Sequence, residues 1–289
     1  MDTELLHRMK SIRQTVQISN AQKLIAVAHI GKARELLLQS RPYHERVCRA
    51  IADVLRHCPA PDSPYIENEH PGPGKRGLLV LSANRGLTGG FNSNLLHFTE
   101  QELLRNPASY LIVLGSAGRS YLIRKGYPVD KDYDLPLDPP SMHTARDLAD
   151  MMVTMLEQHK IDSFDIIYTE YMSSIKLDPV IRRLFPVVRS VFTEFEKDYG
   201  NYSFEPSPEL LIASMMQKYI KGYLYGCLVN TYICELTARL TAMDSAIRNG
   251  NKMLGTLSLM YNRARQASIT QEITEIVAGA IALKNPDEE

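Results

Sequence analysis

The stretch that decides the fold lies near the carboxyl end of this 289-residue chain and reads Met253-Leu-Gly-Thr-Leu-Ser-Leu-Met-Tyr-Asn-Arg-Ala-Arg-Gln-Ala-Ser-Ile-Thr-Gln-Glu-Ile-Thr-Glu-Ile-Val-Ala-Gly-Ala-Ile-Ala-Leu283. Apolar residues recur in it mostly at the spacing of three or four that places side chains on one face of a helix. They are Leu254, Leu257, Tyr261 and Ala264, then Ile269, Ile273, Ile276, Ala280 and Leu283. The pattern predicts the contact face of an amphipathic helix that packs against a partner helix.

The polar residues of this stretch are mostly groups that make directed hydrogen bonds, and few are solubilising Lys–Glu pairs. They are Arg263, Arg265, Gln266, Ser268, Thr270, Gln271 and Thr274. No proline occurs from Glu209 to Asn285, so one helix could span the whole segment, on the order of 110 Å long. We therefore expect a helix that projects from the globular part of the chain and contacts several other chains.

The amino-terminal segment is the obvious partner, because Asp2 to Ser40 contains no proline and only one glycine. Its apolar residues form two sets whose helical phase slips, as in a coiled coil that is not a strict heptad. These sets are Leu5, Met9, Ile12 and Val16, then Ala21, Leu24, Ile25 and Ala28. Pro42 interrupts the pattern, which resumes through Val47. The sequence thus predicts coiled-coil helices over residues 1–58, with a bend near 42, and 208–285.

Basic residues recur in the amino-terminal helix with no acidic residue among them: Arg8, Lys10, Arg13, Lys23, Lys32 and Arg34. Composition alone favours a solvated helix face, and an acidic partner is the alternative.

Between the helices, residues 76–205 alternate short apolar runs with helical patterns. The predicted strands are Leu78–Ser82, Tyr110–Gly115 and Phe164–Tyr168, and the predicted helices are Phe91–Leu104, Ala117–Lys125 and Thr144–His159. This alternation is typical of a small, Rossmann-like, mostly parallel α/β domain. The segments Pro59–Lys75 and Asp130–Ser141 are rich in proline and acidic residues and predict loops.

Composition narrows the function classes. Lys and Arg number 33, as do Asp and Glu, and the zero net charge disfavours nucleic acid as the main partner. No apolar run approaches the roughly 18 residues of a membrane span, and no signal-peptide pattern opens the chain. The four cysteines show no paired spacing, so we expect reduced thiols in a cytosolic protein.

No constellation of catalytic or cofactor-binding residues stands out. The glycines Gly86, Gly89 and Gly90 lie between a strand and a helix, where phosphates often bind. Their spacing fits neither G-x-G-x-x-G nor the P-loop, so we favour a structural turn. The loop beginning at Asp130 lacks the glycine and the glutamate of a calcium loop. His44 with Cys48 and the adjacent His57 and Cys58 offer a poor zinc site. We expect no catalytic residue, metal or cofactor.

Several motifs together resemble the gamma subunit of F-type ATP synthases over nearly the whole chain. The most specific is Tyr261-Asn-Arg-Ala-Arg-Gln-Ala-Ser-Ile-Thr-Gln-Glu-Ile-Thr-Glu-Ile276. Supporting motifs are Ser40-Arg-Pro-Tyr43, Arg85-Gly-Leu-Thr-Gly-Gly-Phe-Asn-Ser-Asn94, Val113-Leu-Gly115 with Gly118-Arg119, Ile167-Tyr-Thr-Glu170, Phe204-Glu-Pro-Ser-Pro208 and Thr241-Ala-Met-Asp244.

The resemblance implies a non-catalytic rotor shaft. In that family an antiparallel coiled coil enters the ring of catalytic alpha and beta subunits, and the α/β domain lies beside the epsilon subunit and the membrane ring of c subunits. It places Arg265, Gln266, Thr270 and Glu272 against loops of the catalytic subunits. It places Lys23, Lys32 and Arg34 against an acidic lever segment of the beta subunit, which tips the basic series from a solvated to a functional interpretation.

The sequence departs from the family pattern at Asn20, Gln22, Asn84 and Thr88. A divergent second-copy rotary ATPase that pumps ions therefore stays open, and so does the choice of protons or sodium. Without a transit peptide, we expect a peripheral protein on the cytoplasmic face of a bacterial plasma membrane. The rivals are a free nucleotide-binding α/β enzyme that uses the glycine turn and a coiled-coil adaptor unrelated to rotation.

Overall fold

The computed structural model describes residues 2–58, 63–67, 74–133, 137–173, 176–195, 204–205 and 207–284. In chain order the elements are α1 (Asp2–His57), β1 (Arg76–Leu81), α2 (Phe91–Arg105), β2 (Tyr110–Leu114), α3 (Ser116–Arg124), α4 (Met142–Glu157), β3 (Ser163–Tyr171), β4 (Leu177–Phe185), a 3₁₀ helix (Arg189–Phe195) and α5 (Pro208–Lys284). They divide into two compact units. We call Met1–Ile25 with Leu240–Glu289 the terminal unit and Ala26–Arg239 the central unit.

The sheet of the central unit has the strand order β2-β1-β3-β4. Strand β1 is parallel to β2 and β3, whereas β4 pairs antiparallel with β3. The three predicted strands and three predicted helices are all present, with ends displaced by at most three residues. Strand β4 was not predicted, because its sequence mixes charged residues and Pro179 with apolar ones. That mixture suits an edge strand, which pairs on one side only.

Side chains on the two faces of the sheet belong to two different cores. Leu79 and Leu81 join the core that includes residues of α1, α4 and α5, while Leu78 and Val80 join that of α2 and α3. All four side chains are fully buried. The sheet is therefore the middle of three layers, which explains why β1 is an uninterrupted apolar run rather than an alternating one.

Helices α1 and α5 run antiparallel in each unit. In the central unit, His29 Nδ1 lies 2.6 Å from Tyr232 Oη, and further along α1 the ring of His44 lies 5.3 Å from that of Tyr219. In the terminal unit, Lys23 Nζ lies 2.6 Å from Asp244 Oδ1. Residues later in α1 contact residues earlier in α5, as expected for antiparallel helices. The predicted fold class, antiparallel terminal helices with a small α/β domain, is therefore confirmed.

The predicted phase slip in α1 is wrong. Buried and half-buried positions keep alternating spacings of four and three, through Leu5, Met9, Ile12, Val16, Ser19, Ala26, Ile30 and Ala33 with Gln22 and Lys23 between them. The predicted second set, Ala21, Leu24, Ile25 and Ala28, is exposed. Small side chains such as Ser19 and Ala26 occupy the contact face instead, because they allow close helix packing. Apolarity alone therefore misidentified the buried positions.

Helix α1 continues through Pro42, although a proline removes one backbone hydrogen bond. The bend near residue 42 stays a prediction. Most of the predicted loop Pro59–Lys75 lies outside the described residues, as do Asp134 and the two residues after it. No helix in the described part of the chain combines the length and apolarity needed to cross a membrane.

Candidate partner-contact surface

The glycine turn lies where α/β folds commonly bind ligands, beyond the carboxyl ends of β1 and β3. Here that space is filled by the buried cluster of Ala83, Phe91 and Cys234. The thiol of Cys234, on α5, donates to the carbonyl oxygen of Thr169 at 3.3 Å. Side chains of α5 and α2 thus pack against the chain beside the glycine turn.

Of the three glycines in the turn, Gly89 alone has the left-handed backbone that favours glycine, at φ 56°. The non-glycine Leu87 shares that conformation at φ 63°. Gly86 has open space around it, and Gly90 meets only ordinary contacts. The glycines that close packing requires lie elsewhere. A Cβ at Gly115 would lie 2.2 Å from the carbonyl oxygen of Ser82, and one at Gly118 would lie 2.4 Å from its hydroxyl. Both glycines belong to the family motifs, but a close-packing role was not predicted for either.

The suspected zinc ligands do not converge. His44 Nε2 lies 3.5 Å from Cys48 Sγ, but His57 Nδ1 donates to the carbonyl oxygen of Asp53 at 2.8 Å. Within the described ranges, no group of three or more His, Cys, Asp or Glu side chains is arranged to hold a metal. The suspected calcium loop lies partly outside those ranges.

A cavity of about 570 Å³ opens between α1, β3 and α5 in the central unit. His44, Cys227 and Glu170 are among the residues that line it. Burial lowers the pKa of His44, so its imidazole is neutral, and burial raises the pKa of the Cys227 thiol, which therefore stays protonated. Glu170 is engaged by Arg182 at 3.3 Å. A protonated thiol and a paired carboxylate do not make an activated nucleophile.

The terminal unit presents a different kind of surface near the end of α5. The predicted contact residues Arg265, Gln266, Thr270 and Glu272 are all exposed. At about 100° per residue they share one broad face with four exposed apolar residues. These are Ile269, Ile273, Ile276 and Val277, exposed by 47%, 55%, 71% and 50%. We call these eight residues the composite face.

Two of the four polar side chains of the composite face form hydrogen bonds within α5. Thr270 Oγ1 donates to the carbonyl oxygen of Gln266 at 2.8 Å, and Glu272 accepts from Ser268 Oγ at 3.5 Å. In the part of the chain that the structure describes, the side chains of Arg265 and Gln266 make no hydrogen bond or ion pair. These two side chains are therefore free to bind another chain.

The composite face is not a continuation of the contact with α1, which corrects the prediction of one long apolar face. The contact positions of α5 are Gly250, Leu254, Leu257, Tyr261 and Ala264, of which Leu257 is buried and the others half-buried. The same spacing next reaches Ser268, Gln271 and Glu275, which are polar and exposed. The five-residue step from Ala264 to Ile269 rotates the apolar pattern by about 140°. Because this step was not counted, apolar residues of two different helix faces were predicted to form one contact face.

The three basic residues predicted to bind an acidic segment have unlike surroundings. Lys23 pairs with Asp244, and Arg34 donates to Tyr171 Oη at 3.0 Å with its guanidinium carbon 5.6 Å from the ring centroid. Lys32 is exposed and forms no ion pair with the described residues. Lys23 and Arg34 therefore already have internal partners, which an acidic segment of another chain would share or displace. Sequence analysis missed Asp244 and Tyr171 as partners, because only the helix pairing and the strand positions bring them close.

Comparison with known proteins gives a consistent result. Residues 3–283 match a family model described as ATP synthase. The chain is 38% identical to the "ATP synthase gamma chain" of Acetivibrio thermocellus, covering 97% of this chain and 98% of the relative. It is also 38% identical to the chain of the same name from Ruminiclostridium cellulolyticum, with the same coverage.

Solved structures show the same fold at low sequence identity. A chain from the cryo-EM structure of the Euglena gracilis mitochondrial ATP synthase (OSCP/F1/c-ring, rotational state 3) matches with a TM-score of 0.66 and 14% identity, covering 100% of this chain and 96% of that one. A chain from the Tetrahymena thermophila mitochondrial ATP synthase (central stalk/c-ring) matches with a TM-score of 0.57 and 19% identity, covering 79% and 99%.

Proposed function

The chain belongs to the gamma-chain family of F-type ATP synthases, and from that premise we propose that it is a rotor shaft coupling ion flow through a membrane ring to ATP synthesis or hydrolysis. Its proposed partners are the catalytic alpha and beta subunits, the epsilon subunit and the ring of c subunits. We place it on the cytoplasmic face of a bacterial plasma membrane, as a peripheral protein.

The observation that carries this proposal is the composite face. Four large apolar side chains lie exposed on a helix face that α1 does not cover, beside a guanidinium and an amide that have no partner among the described residues. Burying that apolar surface against other subunits is favourable, at about 25 cal/mol per Å². Arg265 can form a bidentate pair with a carboxylate of a surrounding subunit.

Such a shaft acts by differential binding. One asymmetric helix surface touches chemically equivalent catalytic sites in different ways, so each site takes a different nucleotide affinity. Because coupling free energies are reciprocal, nucleotide turnover then biases the orientation of the shaft. Coupling of this kind requires a stiff helix and well-placed contacts, and it assigns no catalytic residue to the shaft.

The nucleotide-binding alternative has less support, because Phe91 and Cys234 fill the space beyond β1 and β3. Calorimetric titration of the purified chain with ATP and magnesium separates the two proposals. We expect no stoichiometric binding at micromolar concentration, and a saturable titration would favour the enzyme.

The contact surface is tested by matched substitutions on two faces of α5. We expect Arg265→Ala and Gln266→Leu to reduce complex yield or coupled ATPase rate, since losing a partly desolvated charge pair costs about 2–5 kcal/mol. Gln271→Leu makes the same amide-to-apolar change outside the composite face and should leave both quantities unchanged. Equal behaviour of Gln266→Leu and Gln271→Leu would contradict the proposed contact.

A further inference from the structure

Helices α1 and α5 come into unusually close contact at one position in the terminal unit. A Cβ atom at Gly250 would lie 2.5 Å from Val16 Cγ2 and 3.8 Å from Ile12 Cγ2. Separations under 3.0 Å are essentially never seen for real Cβ atoms, so Val16 would have to move. A valine in a helix is held in one strongly preferred rotamer and cannot easily rotate away. Any side chain at this position, including that of alanine, therefore requires Val16 or the helices themselves to shift.

A second glycine on the same helix provides the contrast. Gly255 has nothing within 4 Å of its hypothetical Cβ. Glycine is a poorer helix former than alanine wherever it occurs inside a helix, because it loses more backbone entropy. Of these two glycines, Gly250 alone has a steric contact that offsets that disadvantage. Gly250 lies half-buried on the contact face, whereas Gly255 is exposed.

The close contact controls where neighbouring side chains lie. Arg13 and Gln17 are exposed on α1 near Val16, and Asn249 and Asn251 are exposed on either side of Gly250. Helix axes pack at about 8–10 Å, depending on the side chains between them. The residue at position 250 therefore sets how far apart these two polar surfaces stand.

We propose that Gly250 is a positioning residue of the shaft: through Val16 it sets the separation of the two helices and so the spacing of the side chains that meet surrounding subunits. The proposal rests on the rotor function proposed above. It adds a determinant that touches no partner itself.

The test compares Gly250→Ala, Gly255→Ala, Val16→Ala and the double variant Val16→Ala/Gly250→Ala in the assembled ATP synthase. Ion transport per ATP hydrolysed and complex yield are measured for each, with the thermal unfolding midpoint of the purified chain. We expect Gly250→Ala to lower coupled transport at least fivefold and to lower the midpoint. The double variant removes the opposing Cγ2 and should return to within twofold of the parent. Gly255→Ala and Val16→Ala should stay within twofold, with the midpoint of Gly255→Ala unchanged or raised.

Three outcomes would overturn the inference: equal behaviour of Gly250→Ala and Gly255→Ala, no recovery in the double variant, or a lowered midpoint in Gly250→Ala with coupling unchanged. The last outcome would make the contact purely structural. If Gly250→Ala fails to assemble, the double variant decides. If the parent chain itself supports no coupled transport, the rotor function fails instead, and the unfolding midpoints still test the helix contact.

Discussion

At the residue scale, His44 is a titratable side chain placed where its charged form is disfavoured. Its Nδ1 is buried without a hydrogen-bond partner among the described residues, and its ring packs against those of Tyr219 and Tyr223, which stack on each other. Burial lowers the pKa of His44, an effect that the nearby Glu45 only partly offsets. The neutral imidazole is therefore the form that the fold accepts.

We predict that His44 makes the stability of the chain depend on pH. The folded-state pKa of His44 lies below the unfolded value of 6.5. The contribution of neutral His44 to the free energy of unfolding is therefore fully present above pH 6.5. It is lost as pH falls toward the folded-state pKa, since the unfolded chain then binds a proton that the folded chain excludes. Urea unfolding between pH 7.5 and 5 measures the slope.

The matched variant is His44→Phe, which keeps an aromatic ring and removes the titration. The buried Glu235 has a raised pKa because of desolvation and affects the parent and the variant equally, with the opposite sign. The difference between the two slopes therefore isolates His44. Parallel pH profiles for parent and variant would show that His44 is protonated equally in both states.

At the element scale, strand β4 is attached to the sheet by charge as well as by backbone pairing. Asp165 on β3 is 5% exposed and accepts hydrogen bonds from Arg76 on β1, at 2.6 Å, and from Arg183 on β4. Arg76 also donates to Glu102 on α2 at 2.9 Å. One buried carboxylate thus links the strands on both sides of β3.

We expect Asp165→Ala to destabilise the chain by about 3 kcal/mol, because it removes one of the two carboxylates that pair with the partly buried Arg76 and also the carboxylate partner of Arg183. Denaturant unfolding gives the value. Asp178→Ala is the control, since Asp178 pairs with Lys176 at the exposed edge of β4, where such pairs contribute about 0–1 kcal/mol. Similar losses in the two variants would mean that Arg76 and Arg183 are adequately paired without Asp165.

Some elements of secondary structure could be predicted from the sequence and others could not, for physical reasons. Strand β1 and helix α4 are local patterns, an apolar run and a 3.6-residue period, and both were predicted within about three residues. Strand β4 has no such pattern. It is a strand because it pairs antiparallel with β3, and Asp165 of β3 accepts from Arg183 within that pairing.

In the contact surface, too, features that depend on local sequence were predictable and contacts between distant residues were not. Arg265 and Gln266 were identified from a family motif, but their placement beside Ile269 and Ile273 depends on helical phase. That phase could have been counted in the sequence. The internal partners of Lys23 and Arg34 could not have been predicted in this way. Only the antiparallel pairing of the helices brings Asp244 to Lys23, and only the position of β3 brings Tyr171 to Arg34.

At the scale of the whole molecule, many large apolar side chains of the described residues are exposed. The terminal unit alone exposes Leu6, Ile18, Leu24, Ile25, Met253, Leu259 and Met260, in addition to the apolar residues of the composite face. Isolated exposed apolar residues are ordinary, but contiguous apolar patches mark association surfaces. The chain therefore has the surface of an assembly component.

We predict that the purified chain self-associates in the absence of its partners, and that the composite face contributes most because its apolar residues adjoin one another along α5. Sedimentation velocity over a hundredfold concentration range should show a weight-average mass that rises with concentration. Replacing Ile269, Ile273 and Ile276 together by glutamine should reduce that rise, since about 25 cal/mol is lost per Å² of apolar surface no longer buried. Leu104→Gln is the control, because Leu104 is 77% exposed but belongs to α2 and not to the composite face. A monomeric parent chain, or equal association of the triple variant and the parent, would show that the composite face needs a different subunit to cover it and does not accept a second copy of itself.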